Sequence, residues 1–331
     1  MIETYGYARA GFLGNPSDGY YGKTLSFAMS NFRARVLLYP SGRLEIRPSK
    51  VDLPVFENLD DLYRITRWRG YYGGIRIIQA LIVRLVDYCR EQGFELPDRN
   101  FTLEYDSNVP QRLGLGGSSA IITASLRALC QYYELKIPLP IQANLALETE
   151  TRELNVPAGL QDRVVQAYQG LVYMDFRRAL MEARGYGEYE RMDAGLLPNV
   201  YVAYRTSLSE GTEVFHNSLR ERWLRGDAEV VGAMETWAGY AAEGRACLFE
   251  RNYSRLHQLV DANFDLRAKI YHIDPGNLEM VAMARAAGAT ANFAGSGGAI
   301  VGTYDDEAMF GKMAAAGKVI GVAVIKPKIV S

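Results

Sequence analysis

Between Pro110 and Ala120 the chain reads Pro-Gln-Arg-Leu-Gly-Leu-Gly-Gly-Ser-Ser-Ala, and this run constrains the fold more than any other stretch. Upstream, Phe101-Thr102-Leu103-Glu104-Tyr105 alternates apolar and polar residues, the period-two pattern of a half-buried strand. Downstream, Ile122, Leu126, Leu129 and Tyr133 recur at helical spacing and predict an amphipathic helix over 119–133. The glycines therefore lie at a strand-to-helix junction. There the first amide N–H groups of the helix lack internal partners and the helix dipole adds partial positive charge, so polyphosphate binds without a basic side chain. Gly114, Gly116 and Gly117 permit dihedrals and close approaches that a Cβ forbids. Ser118 and Ser119 offer hydroxyls to a phosphate oxygen or a magnesium ion. No Lys follows Gly117, which excludes the Walker pattern, and Ser119 holds the third-glycine position of a dinucleotide loop. Gly-X-Gly alone also fits a plain turn with a helix N-cap.

A chain of 331 residues lies above the usual single-domain size, and two domains are expected, 1–190 and 191–331. Charge is balanced, with 37 basic against 38 acidic residues, which argues against nucleic acid or a membrane surface as partner. No apolar run approaches the roughly 20 residues of a membrane span. Met1 to Tyr5 lacks the basic and apolar regions of an export signal, and Cys89, Cys130 and Cys247 have no metal-ligand spacing, so a cytoplasmic protein with buried thiols is expected. His216, His257 and His272 are scattered, which disfavours a histidine metal site or a Ser-His-Asp hydrolase. General-base chemistry falls to a carboxylate.

The coarse pattern predicts strands over 5–13, 32–39, 44–47, 171–176, 200–204, 299–303 and 319–325. Helices are expected over about 75–92, 141–153, 228–243, 253–268 and 278–287.

The central run resembles the second signature of the GHMP kinases, the superfamily of galactokinase, homoserine kinase, mevalonate kinase and phosphomevalonate kinase. Ala8-Arg9-Ala10-Gly11-Phe12-Leu13-Gly14-Asn15-Pro16-Ser17-Asp18 looks like its first signature, and Phe293-Ala294-Gly295-Ser296-Gly297-Gly298-Ala299 like its third. Order and spacing agree across nearly the whole chain. Gly-Phe-Leu-Gly-Asn-Pro-Ser-Asp with Tyr20-Tyr21-Gly22-Lys23-Thr24, and Ala158-Gly159-Leu160-Gln161-Asp162-Arg163, resemble the glucuronokinases more than the galactokinases, and the second also resembles heptose kinases.

The resemblance implies an α+β fold of two domains: an N-terminal α/β nucleotide-binding domain and a C-terminal ferredoxin-like α+β domain, with the active site in the cleft between them. It also implies an ATP- and Mg2+-dependent sugar kinase with glucuronate as acceptor. A GHMP kinase for a heptose, galactose or small alcohol, and a non-catalytic ligand-binding protein of this fold, are the alternatives. Pro110, Leu113, Gly114, Leu115, Gly116, Gly117, Ser118, Ser119 and Ala120 would bind nucleotide. Asp162 matches the catalytic aspartate, though its position also suits a helix N-cap. Lys23 would offset negative charge on the transferring group. A loop hydroxyl, Ser118 or Ser119, would hold the metal with a carboxylate, for which Glu150 is the best positional match, with Glu148 and Glu153 as alternatives. Arg9, Asn15, Ser17, Asp18, Gly295, Ser296 and Gly297 would face the substrate. A uronate carboxylate wants a cation, and Arg9, Lys23 and Arg163 are the basic residues nearest the matched motifs. The third motif carries Ala294 and Ser296 in place of the family's usual Thr-Gly-Ala wording, which puts a specific Thr contact in doubt. Trp68, near Tyr71 and Tyr72, is a candidate to flank the nucleotide base.

Overall fold

The computed structural model describes residues 1–47, 73–111, 113–205 and 216–330. Its strands fall into two sheets. The six-stranded sheet contains β1 (Ile2–Leu13), β2 (Lys23–Pro40), β3 (Glu45–Arg47), β4 (Phe101–Ser107), β5 (Leu171–Asp175) and β6 (Glu188–Met192). Strand β2 is its spine: residues 34–40 pair antiparallel with β4, residues 23–27 pair antiparallel with β5, and β1 also pairs with it. The sequence pattern predicts only the second half of β2. Its first half, Thr24 to Met29, is buried at every position, the polar Thr24 and Ser26 included.

The four-stranded antiparallel sheet has the order β10 (Val322–Ile325), β7 (Val200–Arg205), β9 (Ala299–Thr303), β8 (Asn292–Phe293). Numbered along the chain from β7, that order is four-one-three-two, the ferredoxin-like arrangement. The expected strand over 319–325 is shorter. A helix continues through Val319, and Gly321 turns at φ +70 before β10 begins.

Ten helices occur among the described residues. They are α1 (Gly74–Glu91), α2 (Gly117–Tyr132), α3 (Leu139–Glu148), α4 (Leu160–Tyr168), α5 (Arg178–Arg184), α6 (His216–Leu224), α7 (Ala228–Glu250), α8 (Tyr253–Ile270), α9 (Pro275–Ala286) and α10 (Glu307–Val319). The helix expected over 141–153 is α3 followed by a π turn, Thr149–Glu153.

The chain forms two compact units. One comprises Met1–Ala8, Phe32–Val109 and Gly117–Ala167; the other Arg9–Asn31, Pro110–Gly116 and Tyr168–Ser331. In the first, α2 buries Ile122, Leu126 and Leu129, each contributing about 1.5–3 kcal/mol of transfer free energy. Its first turn lies so close to β1 that a Cβ at Gly6 would collide with the Ala120 carbonyl. Polar ties fix its register: the Thr4 hydroxyl donates to the Ala124 carbonyl (2.7 Å), and Arg127 donates to the carbonyls of Tyr5 (2.6 Å) and Gln166 (2.7 Å). Gln166 of α4 in turn donates to Tyr7 (2.8 Å), so β1 sets both helices. In the second unit, Tyr201, Phe264, Met280, Phe293, Ile300 and Met313 form the core between the four-stranded sheet and its helices.

Candidate active site

In the second unit the three sequence motifs meet. Gly114 and Gly116 adopt left-handed backbone, φ +61 and +75, and Leu113 and Leu115 bury their side chains to anchor the loop. A Cβ on Gly114 would lie 2.9 Å from the Ser296 nitrogen and 3.0 Å from the Gly297 oxygen, and one on Gly295 would collide with the Gly114 carbonyl. Glycine is thus required on both sides of that contact. Arg9 is only 4% exposed, and its Nη1 donates to the Gly114 carbonyl (2.5 Å) and the Ala294 carbonyl (2.6 Å). Backbone bonds add to this. Arg9 N–H donates to Leu115 (3.1 Å) and Gly11 N–H to Ala294 (2.7 Å).

The first motif ends in a tight turn stitched by its own side chains. Asn15 is buried; its amide donates to the Phe293 carbonyl (2.9 Å), and its Oδ1 accepts from Asn292 (3.2 Å). Asn263 donates to Asn292 Oδ1 (3.2 Å) and accepts from Gly14 N–H (2.8 Å), closing an asparagine cluster. The Ser17 hydroxyl donates to the Lys23 carbonyl (3.0 Å) and accepts from Lys23 N–H (3.1 Å). Asn15 and Ser17 therefore hold the loop's shape, while the half-buried Asp18 sits in its single helical turn, Ser17–Tyr20. Lys23 pairs across the sheet with Asp175, Nζ to Oδ2 3.5 Å. Burial pushes the Asp175 carboxyl up, but hydrogen bonds from Arg177 and the Lys23 charge outweigh it and hold it below the usual carboxylate range.

In the first unit, Ser118 and Ser119 open α2, with Ser119 and Ala120 fully buried. The Ser118 hydroxyl donates to Glu150 Oε1 (2.7 Å). Glu150 lies in the π turn, a local widening of helical geometry found often at functional sites, and is 3% exposed. Its other oxygen accepts from Arg163 Nη2. Arg163 also donates to the Gly159 carbonyl (2.8 Å) and approaches Asp162 Oδ2 at 3.5 Å. Asp162 lies in the first turn of α4, half-buried. Among the three acidic candidates, Glu150 alone faces Ser118 in these contacts. Glu148 is engaged by Arg84 (2.7 Å) and Arg152 (3.1 Å), and Glu153 is exposed.

Trp68, Tyr71 and Tyr72 lie outside the described residues. Two residues of α8 and its C-terminal end, Arg267 and Tyr271, escape the sequence motifs. Arg267 is 3% exposed, donates to the Gly295 carbonyl (3.1 Å), and stacks over Phe293 and Tyr271. The only sequence signal is its place in the stripe Leu256, Leu259, Val260, Asn263, Phe264, Arg267, a charge at a core-facing helical position.

Residues 80–170 match the GHMP kinases N terminal domain. The sequence is 45% identical to Probable glucuronokinase 2 of Arabidopsis thaliana, covering 91% of this chain and 84% of the relative. It is 42% identical, at the same coverages, to Glucuronokinase 1 of the same plant. Among solved structures, Lactococcus lactis galactokinase complexed with galactose superimposes with a TM-score of 0.78 at 16% identity, over 99% of this chain and 93% of that one. The chain belongs to the GHMP kinase family, and within it to the glucuronokinase-like sugar kinases.

Proposed function

We propose that this enzyme transfers the γ-phosphoryl group of ATP to the anomeric hydroxyl of glucuronate, with magnesium. The observation that carries the reading is the Ser118–Glu150 contact at the start of α2, joined through Arg163 to Asp162. A hydroxyl and a carboxylate oxygen are hard ligands, and two protein ligands leave positions for phosphate oxygens and water, which suits magnesium. The ion, held by Ser118 and Glu150, would neutralise charge on the β- and γ-phosphates. Ser119, fully buried, is the less accessible hydroxyl.

The loop 113–116 and the first-turn amides of α2 hold the phosphates. Asp162 orients the sugar hydroxyl and takes its proton as the oxygen attacks the γ-phosphorus. The new O–P bond forms, the bond to the bridging oxygen breaks, and ADP leaves. Lys23, held by Asp175, offsets negative charge on the transferring group. Asp18 accepts hydrogen bonds from sugar hydroxyls, and the 295–297 loop, braced by Arg9, lines the acceptor side.

The division near residue 190 into nucleotide-binding and C-terminal domains follows the two sheets, while the compact units divide the chain at 167/168 and place 9–31 and 110–116 with the C-terminal part. Every strand of the six-stranded sheet precedes Met192, or ends there, and every strand of the other begins at Val200 or later. The enzyme is taken to be cytoplasmic, in keeping with its three buried, unpaired cysteines. No helix among the described residues is long and apolar enough to cross a membrane. The test is ADP release from magnesium-ATP across a panel of uronates, neutral aldoses, heptoses and small alcohols. Selective turnover of neutral sugars refutes the uronate assignment, and no turnover at all favours a ligand-binding role.

A further inference from the structure

A buried guanidinium with few acceptors demands an explanation, since each unmet donor carries its full desolvation cost. Arg267 is such a group. Among the described residues its Nε is buried without a hydrogen-bond partner, and the Tyr271 hydroxyl beside it is in the same condition. Arg267 holds one carbonyl, that of Gly295 in the third motif, and its Cζ lies over the rings of Phe293 (4.9 Å to the centroid) and Tyr271 (5.2 Å). Tyr271 packs in one apolar cluster with Tyr20, the last residue of the turn that carries Asp18. Asp18 also lies within electrostatic reach of both Arg267 and Tyr271. The pair thus sits among the residues assigned to the acceptor.

The other cations near the motifs are already engaged. Arg9 holds the carbonyls of Gly114 and Ala294, Lys23 pairs with Asp175, and Arg163 pairs with Glu150 and Asp162.

We propose that Arg267 and Tyr271 form the subsite for the acceptor's carboxylate and so determine selectivity for a uronate over the corresponding neutral sugar. The inference rests on the uronate reading above. A guanidinium presents a planar fork of donors matched to a carboxylate, and the Phe293 ring centroid lies 4.9 Å from its Cζ. The Tyr271 hydroxyl adds a further donor; burial pushes its ionisation up, which keeps the proton in place. Asp18, on the adjoining turn, is left to accept hydrogen bonds from the sugar hydroxyls. A glucose in the same pose would put a primary alcohol where the carboxylate belongs and leave the guanidinium without its counter-charge.

The experiment measures kcat/KM for glucuronate and for glucose, which differ only at C6, in the wild type, Arg267→Gln, Arg267→Lys and Tyr271→Phe. In Arg267→Gln the ratio of the two is expected to fall on the order of a hundredfold, mainly through KM for glucuronate. Arg267→Lys should recover part of that loss. In Tyr271→Phe a fall of about fivefold is expected, and this milder variant carries the test if Arg267→Gln does not fold. A wild type that turns over glucuronate while Arg267→Gln and Tyr271→Phe leave the ratio unchanged, or lower both substrates equally, overturns the subsite and leaves the uronate reading standing. A wild type that prefers glucose refutes the uronate reading itself, before any variant is measured.

Discussion

Arg163 and Arg267 are buried to nearly the same degree, at 5% and 3% exposure, yet their surroundings differ. Arg163 donates to the Glu150 carboxylate and a backbone carbonyl and lies 3.5 Å from a second carboxylate, Asp162. Arg267 holds a single carbonyl in the contacts described, with aromatic rings around it. A buried pair is costly to break because one charge is left without its partner, whereas a poorly compensated charge contributes little to folding. At equal burial, one arginine is held by carboxylates and the other, in the contacts described, by a carbonyl and aromatic rings.

The largest expected effect concerns the neighbour of Arg163. Asp162→Asn should lower kcat by about a thousandfold at saturating substrate, as the loss of a general base or orienting group does. Its stability should change little, because Glu150 still pairs with Arg163. Near-normal turnover in a steady-state assay would remove Asp162 from the chemistry.

Next, urea unfolding of Arg163→Met should show a loss of about 3 kcal/mol, while Arg267→Met should stay within about 1 kcal/mol of the wild type or gain stability. Equal losses in the two variants would erase the contrast.

The smallest effect is a pH dependence at the strand pair Lys23–Asp175. A carboxyl whose pKa is depressed by the fold stabilises above its unfolded value and loses that contribution as pH falls through the folded one. Asp175, held below the usual carboxylate range, should therefore add acid sensitivity below about pH 4. Denaturation midpoints for Asp175→Asn should fall less steeply than wild type between neutral and acid pH. Parallel curves would mean that the carboxyl is not depressed.

Much of the glycine-loop geometry is legible in the sequence because it is local. A strand, a turn with left-handed glycines and a helix start occupy consecutive residues, whereas Asp162 lies inside the first turn of a helix that begins at Leu160, not at the N-cap its position also suits. Glu150, the best positional match among the three acidic residues, lies in the π turn and accepts from Ser118, a contact for which local spacing gives no signal. Nearness to the motifs points to Arg9, Lys23 and Arg163 as cations for the acceptor, and in the structure each of the three contacts a carbonyl or a carboxylate. Arg267 was hidden because its neighbours Gly295 and Phe293 are distant in sequence, and an arginine in an apolar stripe reads as a helix edge. The first half of β2 lies outside the strand expected over 32–39, although Thr24-Leu25-Ser26-Phe27 carries the alternation of a strand.

Arg9 has one more implication. Because a single guanidinium grips the Gly114 and Ala294 carbonyls, neither glycine loop relaxes independently of the other. Whatever orders one of them orders its neighbour as well, so the conformational entropy of ordering the pair is lost once rather than twice.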